Sequence, residues 1–348
     1  MKFSFIIPIY NGEKFINKTV REIGQTNLED YEVILVNDGS TDNSEFICDT
    51  LAKENKKIHC IHQRNHGVSS ARNNGLKAAI GEYVLFLDAD DMLEPRRLSK
   101  LLEEIEKTKG IDMAIFGISF DYYYRGKLYR RDEMSPPLSG IQNSKIWMKN
   151  MLMMYYTNSL SPVWNKVFRR RFLLDNGLYL REDMFLYEDL EYSVRCMMCC
   201  DNILFEPEII YHYRQSDDEG NAGRRLAKID HIFNLVDQIE NVLDKLINLK
   251  STKSEQDEIK SILVLLYLVL AREKIAVSNV RQVKQICDDY KKWYEKRQIK
   301  IPLESQEYSD LLLQRNVLKL ILRREYTKVR HRIAVVLKNI RIYQKLKG

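Results

Sequence analysis

The chain has 348 residues, 45% hydrophobic and 30% charged, with a formal net charge of +6. It has ample apolar material for a core, shows no internal repeat or low-complexity tract, and is long enough that two domains are the expectation. No run of roughly 18 or more apolar residues occurs, which excludes a membrane-spanning helix; the nearest candidate, Ile259 to Val269, is short and contains Lys260 and Ser261.

Lys2 to Ile9 is an apolar run rich in Ile and Phe, fit for a buried strand rather than a secretory segment. The six cysteines, at 48, 60, 196, 199, 200 and 287, are therefore expected as reduced thiols in a cytoplasmic protein. Cys196, Cys199 and Cys200 lack a second pair at zinc spacing and read as buried helix positions. Asn11-Gly12 is a turn, and Lys14 to Thr26 carries Phe15, Ile16, Val20 and Ile23 at helical spacing. Glu32 to Val36 is a second strand, ending in Asn37-Asp38-Gly39-Ser40. Asp42 can cap the next helix, with Phe46, Ile47 and Leu51 on its inner face. Ile58 to Ile61 is a third strand, Val68 to Ile80 a helix, and Tyr83 to Leu87 a fourth strand. Strands separated by helices in this way imply βαβ units and a mainly parallel sheet, whose ligands bind at the carboxyl ends of the strands.

The fourth strand ends in Asp88-Ala89-Asp90-Asp91. Three clustered carboxylates repel by roughly 1 to 4 kcal/mol per pair, depending on dielectric. A hard divalent cation is the usual remedy. In a strand, residues two apart share a face, so Asp88 and Asp90 are expected in one pocket with Asp91 turned away. A helix N-cap is the competing reading, but a cap needs one carboxylate.

From Ile111 to about Tyr129 the pattern is aromatic and β-like, ended by Pro136-Pro137. Ile141 to Tyr155 reads as a helix, Phe185 to Cys200 as another beginning near Glu188, and Ile203 to Tyr213 as a strand. After about Asn221 amphipathic helices follow one another, with Ile259, Ile262, Leu263, Leu266, Tyr267 and Leu270 forming one stripe. The segment Lys319 to Gly348 holds ten Lys or Arg against one acidic residue, Glu325. Such a basic amphipathic end can lie on anionic lipid or pack on the catalytic domain with a solvated face. It lacks a motif for reading nucleic acid.

Five segments in order resemble inverting glycosyltransferases of family 2: Ile6-Ile7-Pro8-Ile9-Tyr10-Asn11, Val36 to Asp42, Gly67 to Gly75, Leu87 to Asp91, and Tyr187-Glu188-Asp189. The resemblance covers roughly residues 1 to 215. It implies a GT-A fold, a Rossmann-like, mainly parallel mixed sheet flanked by helices. The boundaries expected are a catalytic domain at 1–221, its nucleotide-sugar half about 1–110 and its acceptor half about 111–221. An all-helical C-terminal region follows at 222–348.

The resemblance also implies roles. Pro8, Tyr10, Asp38, Arg72, Asp88, Ala89 and Asp90 would bind a nucleotide-sugar, with Asp38 accepting a hydrogen bond from the uracil imide. Asp90, with Asp88, would hold Mn2+ or Mg2+ against the diphosphate, and His212 is a further metal candidate. Asp189 would be the base, with Glu188 the alternative; N-terminal capping is the competing reading for both. Trp164 is placed either on the acceptor side or in the core. Arg214 is a candidate for the diphosphate, and the polar loop from Gln215 to Gly223 could close over donor. The implied activity moves a sugar from a UDP-sugar donor to a glycan or lipid-linked acceptor in cell-surface polysaccharide synthesis, at the inner face of the cell membrane. Two alternatives stand beside it: a non-catalytic, membrane-associated scaffold and a sugar-phosphate nucleotidyltransferase. The second lacks the Gly-rich basic loop it needs after the first strand. Dehydrogenase and P-loop readings fail for want of their glycine motifs.

Overall fold

In the computed structural model, the described residues are 2–108, 110–184 and 187–216, followed by 260, 264, 267–268, 271, 274–275, 280–297, 306–316 and 319–320. Two compact units are distinguished, residues 1–220 with 242–250, and residues 221–241 with 251–348. The basic tail, most of the 259–270 stripe and most of the 215–223 loop lie outside the described residues.

The first unit is α/β. Its strands are β1 (Phe3–Ile9), β2 (Tyr31–Asp38), β3 (Ile58–Gln63), β4 (Tyr83–Phe86), β5 (Met92–Leu93), β6 (Met113–Tyr124), β7 (Lys127–Met134), β8 (Gly140–Asn143), β9 (Lys166–Arg169) and β10 (Asn202–Ser216). They form one mixed sheet in the order β3-β2-β1-β4-β9-β6-β10-β5, with β7 on β6 and β8 on β10. β1 runs parallel to β2 and β4, and β2 parallel to β3. The turns leaving β1, β2 and β4 therefore share one edge, where a ligand site is expected in such sheets. The helices are α1 (Ile16–Gly24), α2 (Ser44–Glu54), α3 (Val68–Ala78), α4 (Pro95–Lys107), α5 (Ser144–Lys149), α6 (Met151–Tyr156), α7 (Arg170–Asp175) and α8 (Glu188–Cys199).

Every residue of β2 is buried, which explains its continuous apolar run. Pro8 sits in β1 without breaking the sheet. Ile6 O accepts from Leu87 N on the β4 side, and the alternation of a parallel strand turns the Pro8 nitrogen the same way. There the β1–β4 register has already ended, at Ile6 opposite Phe86. α3 lies so close to β1 that a Cβ on Gly75 would come 2.3 Å from Ile6 Cγ2.

Several expectations are corrected. Phe46 is 72% exposed, because α2 begins at Ser44 and buries Ser44 and Cys48, a face opposite to position 46. The expected helix from Ile141 is a strand to Asn143, pairing with β10, and two short helices that break at Asn150. The aromatic stretch from 111 keeps the β character expected of it, as a hairpin turning at Arg125-Gly126 with both residues at positive φ. Asp88 and Asp90 lie beyond the end of β4, so a turn and not a shared strand face positions them.

In the second unit, α9 (Val280–Arg297) and α10 (Gln306–Leu313) are helices. Tyr267 packs its ring 4.9 Å from both Tyr290 and Trp293, and the Tyr290 hydroxyl lies 2.8 Å from Ser309 Oγ. Among the described residues no helix is long and apolar enough to cross a membrane.

Candidate active site

Three consecutive residues of α3 reach three separate parts of the chain. Arg72 is 3% exposed. Its Nη2 donates to Asp88 Oδ1 and its Nη1 to Asp189 Oδ1, both at 2.8 Å. Asn73 accepts from Leu180 N at 2.8 Å, while its amide donates to Leu180 O and to Glu182 Oε1. Asn74 donates to Gln63 Oε1 at 2.6 Å, and Gln63 in turn donates to Asp38 Oδ1 at 2.7 Å. The helix thus ties the turn after β4, the segment leading to α8 and the turn after β2 to one another.

Burial alone would lower the Arg72 pKa, but Asp189 and Asp88 more than offset it and hold the guanidinium charged. Asp189 is the second residue of α8, whose first residue, Glu188, directly follows Tyr187, and the Tyr187 backbone is left-handed at φ 58° and ψ 16°. That conformation is uncommon for a bulky residue and clusters at functional sites. Burial pushes the Asp189 carboxyl up, Arg72 pulls it down and Asp88 pushes it up again, with a net rise. Its side chain remains 24% exposed, so a substrate can reach it. The alternative residue, Glu188, is 9% exposed.

The acidic turn is built from both sides. Thr19 Oγ1 donates to Ala89 O at 2.7 Å. Asp88 N donates to the Tyr211 hydroxyl, and that hydroxyl donates to Asp91 Oδ2 at 2.6 Å. Asp91 is 3% exposed and also accepts from Arg214 N at 2.8 Å. It does turn away from the opening, as expected. Burial, then Asp88 and Asp90, push its carboxyl well above the usual range. Asp88 and Asp90 are both half-buried. The oxygen donors and their mutual repulsion fit a hard divalent cation.

Asp38 is 4% exposed and accepts from His66 N, Gly67 N and Gln63 Nε2. These bonds order the loop into α3, and a carboxylate has about four acceptor positions, leaving one. Gly39, at φ +68°, follows; a Cβ there would meet Asn65 N at 2.8 Å. Tyr10 is 54% exposed at the end of β1, and its neighbour Asn11 laces this turn to the next through Ser40 Oγ and Thr41 N.

Three other expected residues do not join the cluster. His212 is 5% exposed, with Nδ1 2.6 Å from Ser119 Oγ and Nε2 3.0 Å from Glu94 Oε1. Both ring nitrogens are thus engaged by neighbouring side chains. The Arg214 guanidinium lies over the Phe15 and Tyr123 rings at 4.9 and 5.2 Å. Trp164 is 6% exposed and stacked on Tyr211 at 4.4 Å and on Tyr213 at 5.4 Å. It takes the core alternative and braces the tyrosine that holds the acidic turn.

Sequence reasoning missed Asn73, Asn74, Gln63 and Lys166. Two adjacent asparagines inside a helix were the available signal, since Asn is a poor helix former unless its amide is used elsewhere. Lys166 is fully buried in β9. It donates to Ser159 O, Pro162 O and Asn165 Oδ1, and burial lowers its pKa to about 7, against the pull of Asp189.

The family model described as Glycosyl transferase family 2 matches residues 4–177. The Bacillus subtilis glycosyltransferase EpsJ is 32% identical over 215 residues, 61% of this chain and 61% of its own. The minor teichoic acid biosynthesis protein GgaB of Bacillus subtilis is 42% identical over 122 residues, 34% of this chain and 14% of its own. The chain thus spans about three-fifths or less of these relatives. Among solved structures, S. aureus TarS 1–349 in complex with UDP-GlcNAc superposes with a TM-score of 0.65 at 18% identity, covering 94% of this chain and 92% of that one. That likeness is one of fold.

Proposed function

The chain belongs to glycosyl transferase family 2, and from that premise we propose that it moves a sugar from a UDP-sugar to a glycan or lipid-linked acceptor, with inversion, in cell-surface polysaccharide assembly. The observation that carries this reading is the Arg72 guanidinium shared by Asp88 and Asp189. Its two terminal nitrogens bring the acidic turn and the acidic start of α8 to one planar cation, so that a donor held by the first and an acceptor activated by the second would lie side by side.

In this reading Asp189 takes the proton of the acceptor hydroxyl as its oxygen attacks the anomeric carbon. The bond from that carbon to the diphosphate oxygen breaks, and UDP leaves. A carboxylate whose pKa burial raises and a neighbouring guanidinium lowers, with a net rise, suits a general base. Arg72 orients Asp189 and adds positive charge beside Asp88, where the donor would lie. Asp90, with Asp88, would hold Mn2+ or Mg2+, which when bound stabilises negative charge on the diphosphate. The exposed ring of Tyr10 would flank the uracil, and the remaining acceptor position of Asp38 would take the imide N–H. Ala89 and Pro8 shape the floor between them. On the same fold, TarS accommodates UDP-GlcNAc in that protein, and the GgaB name points to cell-surface polymers.

The membrane side is proposed on the sequence alone: the basic residues between 319 and 348 would hold the protein at an anionic lipid surface. The test of the whole reading is calorimetric titration with UDP in the presence and absence of manganese, followed by a UDP-sugar hydrolysis screen. Metal-dependent UDP binding that is lost in Asp90→Ala is the expected result. Absence of UDP binding in the wild type, with and without metal, overturns it.

A further inference from the structure

Among the described residues β3 is an edge strand of the sheet, paired to β2. Cys60 and His62 stand two residues apart on it and so share one face. α2 packs over that face and presents Asp49. His62 Nε2 lies 3.0 Å from Asp49 Oδ1 and 3.4 Å from Cys60 Sγ. The three donor atoms all lie within 4.8 Å of one another. None of these residues takes part in the sugar-transfer chemistry above.

We propose that Asp49, Cys60 and His62 form a second cation site, distinct from the acidic turn, that takes a borderline-soft divalent ion such as Zn2+. The donor set is one sulfur, one imidazole nitrogen and one carboxylate oxygen, which suits zinc rather than magnesium or calcium. A tetrahedral zinc ion bound at about 2.3 Å to sulfur and about 2.0–2.2 Å to nitrogen and oxygen sets its ligand atoms about 3.4 to 3.6 Å apart. The two spacings to His62 Nε2, 3.0 and 3.4 Å, are close to this, and the Asp49 and Cys60 donors, within 4.8 Å of each other, can close on an ion by side-chain rotation. Asp49 and His62 are 45% and 38% exposed at their side chains, which gives an ion a path in and leaves a fourth position to water.

On the far side of the ring, Asn37 Nδ2 lies 3.1 Å from His62 Nδ1. Ser40 N donates to Asn37 Oδ1 and fixes that amide's orientation. The neutral ring therefore carries its proton on Nε2. An ion at Nε2 displaces that proton; Nδ1 then becomes the protonated nitrogen, and the Asn37 amide must turn so that Oδ1 accepts from it, giving up its bond from Ser40 N. The cluster is thus tied to the residue before Asp38 as well as to α2.

Cobalt(II) is the probe, added to the reduced full-length chain under anaerobic conditions. A near-ultraviolet thiolate-to-cobalt band, saturating at about one ion per chain and displaced by zinc, is expected. Cys60→Ser should abolish the band, and His62→Ala should weaken cobalt binding by more than about tenfold. Asp90→Ala and Cys199→Ser should leave it intact, which separates this site from the acidic turn and from the other thiols. Circular dichroism confirms that the variants, altered at partly exposed positions, remain folded. No thiolate band in the wild type, or a band that survives Cys60→Ser, overturns the proposal.

Discussion

Asp189 accepts a 2.8 Å hydrogen bond from Arg72 across 117 positions of the chain. The same guanidinium serves Asp88, so removing either carboxylate leaves the other paired. Asp189→Asn keeps the shape of the side chain and most of its contacts while removing the proton acceptor. Turnover of UDP-sugar should fall by about 10²- to 10⁴-fold, the usual worth of a general base. UDP affinity, measured by calorimetry, should change little. Equal losses in both would mean that Asp189 holds the donor instead.

In the proposed reaction, Arg72 would set the pH at which Asp189 acts as base. Burial raises the Asp189 pKa and Arg72 lowers it. Below that pKa the carboxyl is protonated and cannot take the acceptor's proton, so turnover should rise as pH climbs through it. Arg72→Gln removes the lowering influence. The acid limb of the kcat profile should therefore move to higher pH, in addition to any drop in its plateau. An unmoved limb in a folded variant would break the link between the two residues.

How much of this was legible without coordinates depends on distance along the chain. β1, β2 and α3 follow from local apolar runs and spacing, and their parallel order follows from the alternation of strands and helices. The failures occur where a local pattern competes with a tertiary one. Ile141 reads as the start of a helix until β10 is there to pair with it. β9 is four residues long and begins with a buried lysine whose carbonyl partners cannot be foreseen. At the site, the acidic residues stand out because such charge needs a counterpart. The bonds from Asn73 to Leu180 and from Asn74 through Gln63 to Asp38 carry no local signature, since each spans residues that meet only after folding.

The strand pair β6–β7 carries a buried ion pair with its own pH signature. Asp121 is fully buried and accepts from Ser119 Oγ and from Arg131, through Nε at 2.7 Å and Nη2 at 2.6 Å. Burial would raise its pKa, but Arg131, Ser119 and His212 together bring it below the usual 3.8. A depressed carboxylate contributes stability above its unfolded pKa and loses it as pH falls through the folded value. Asp121→Asn should cost about 1–3 kcal/mol at pH 7 in urea denaturation, the range for losing a buried partner with one side open to solvent. The gap to wild type should narrow below a pH of about 4. A gap independent of pH would assign the loss to packing alone.

Gly75 is where α3 comes closest to the sheet, and the contact bears on the site because Arg72, Asn73 and Asn74 precede it on the same helix. A methyl group at 75 would meet Ile6 Cγ2 at 2.3 Å and Val36 Cγ2 at 3.3 Å. Both neighbours are buried β-strand side chains with no room to move. Gly75→Ala should therefore destabilise by about 1–3 kcal/mol through overpacking, despite the better helix propensity of alanine. Ile6→Ala costs stability by itself but opens the space the new methyl needs, so the double variant should lose less than the sum of the two single losses. Thermal and urea denaturation of all four proteins closes the cycle. Additive losses would show that α3 tilts away from β1 to relieve the clash, in which case UDP-sugar turnover should also fall as Arg72 is carried off the two carboxylates.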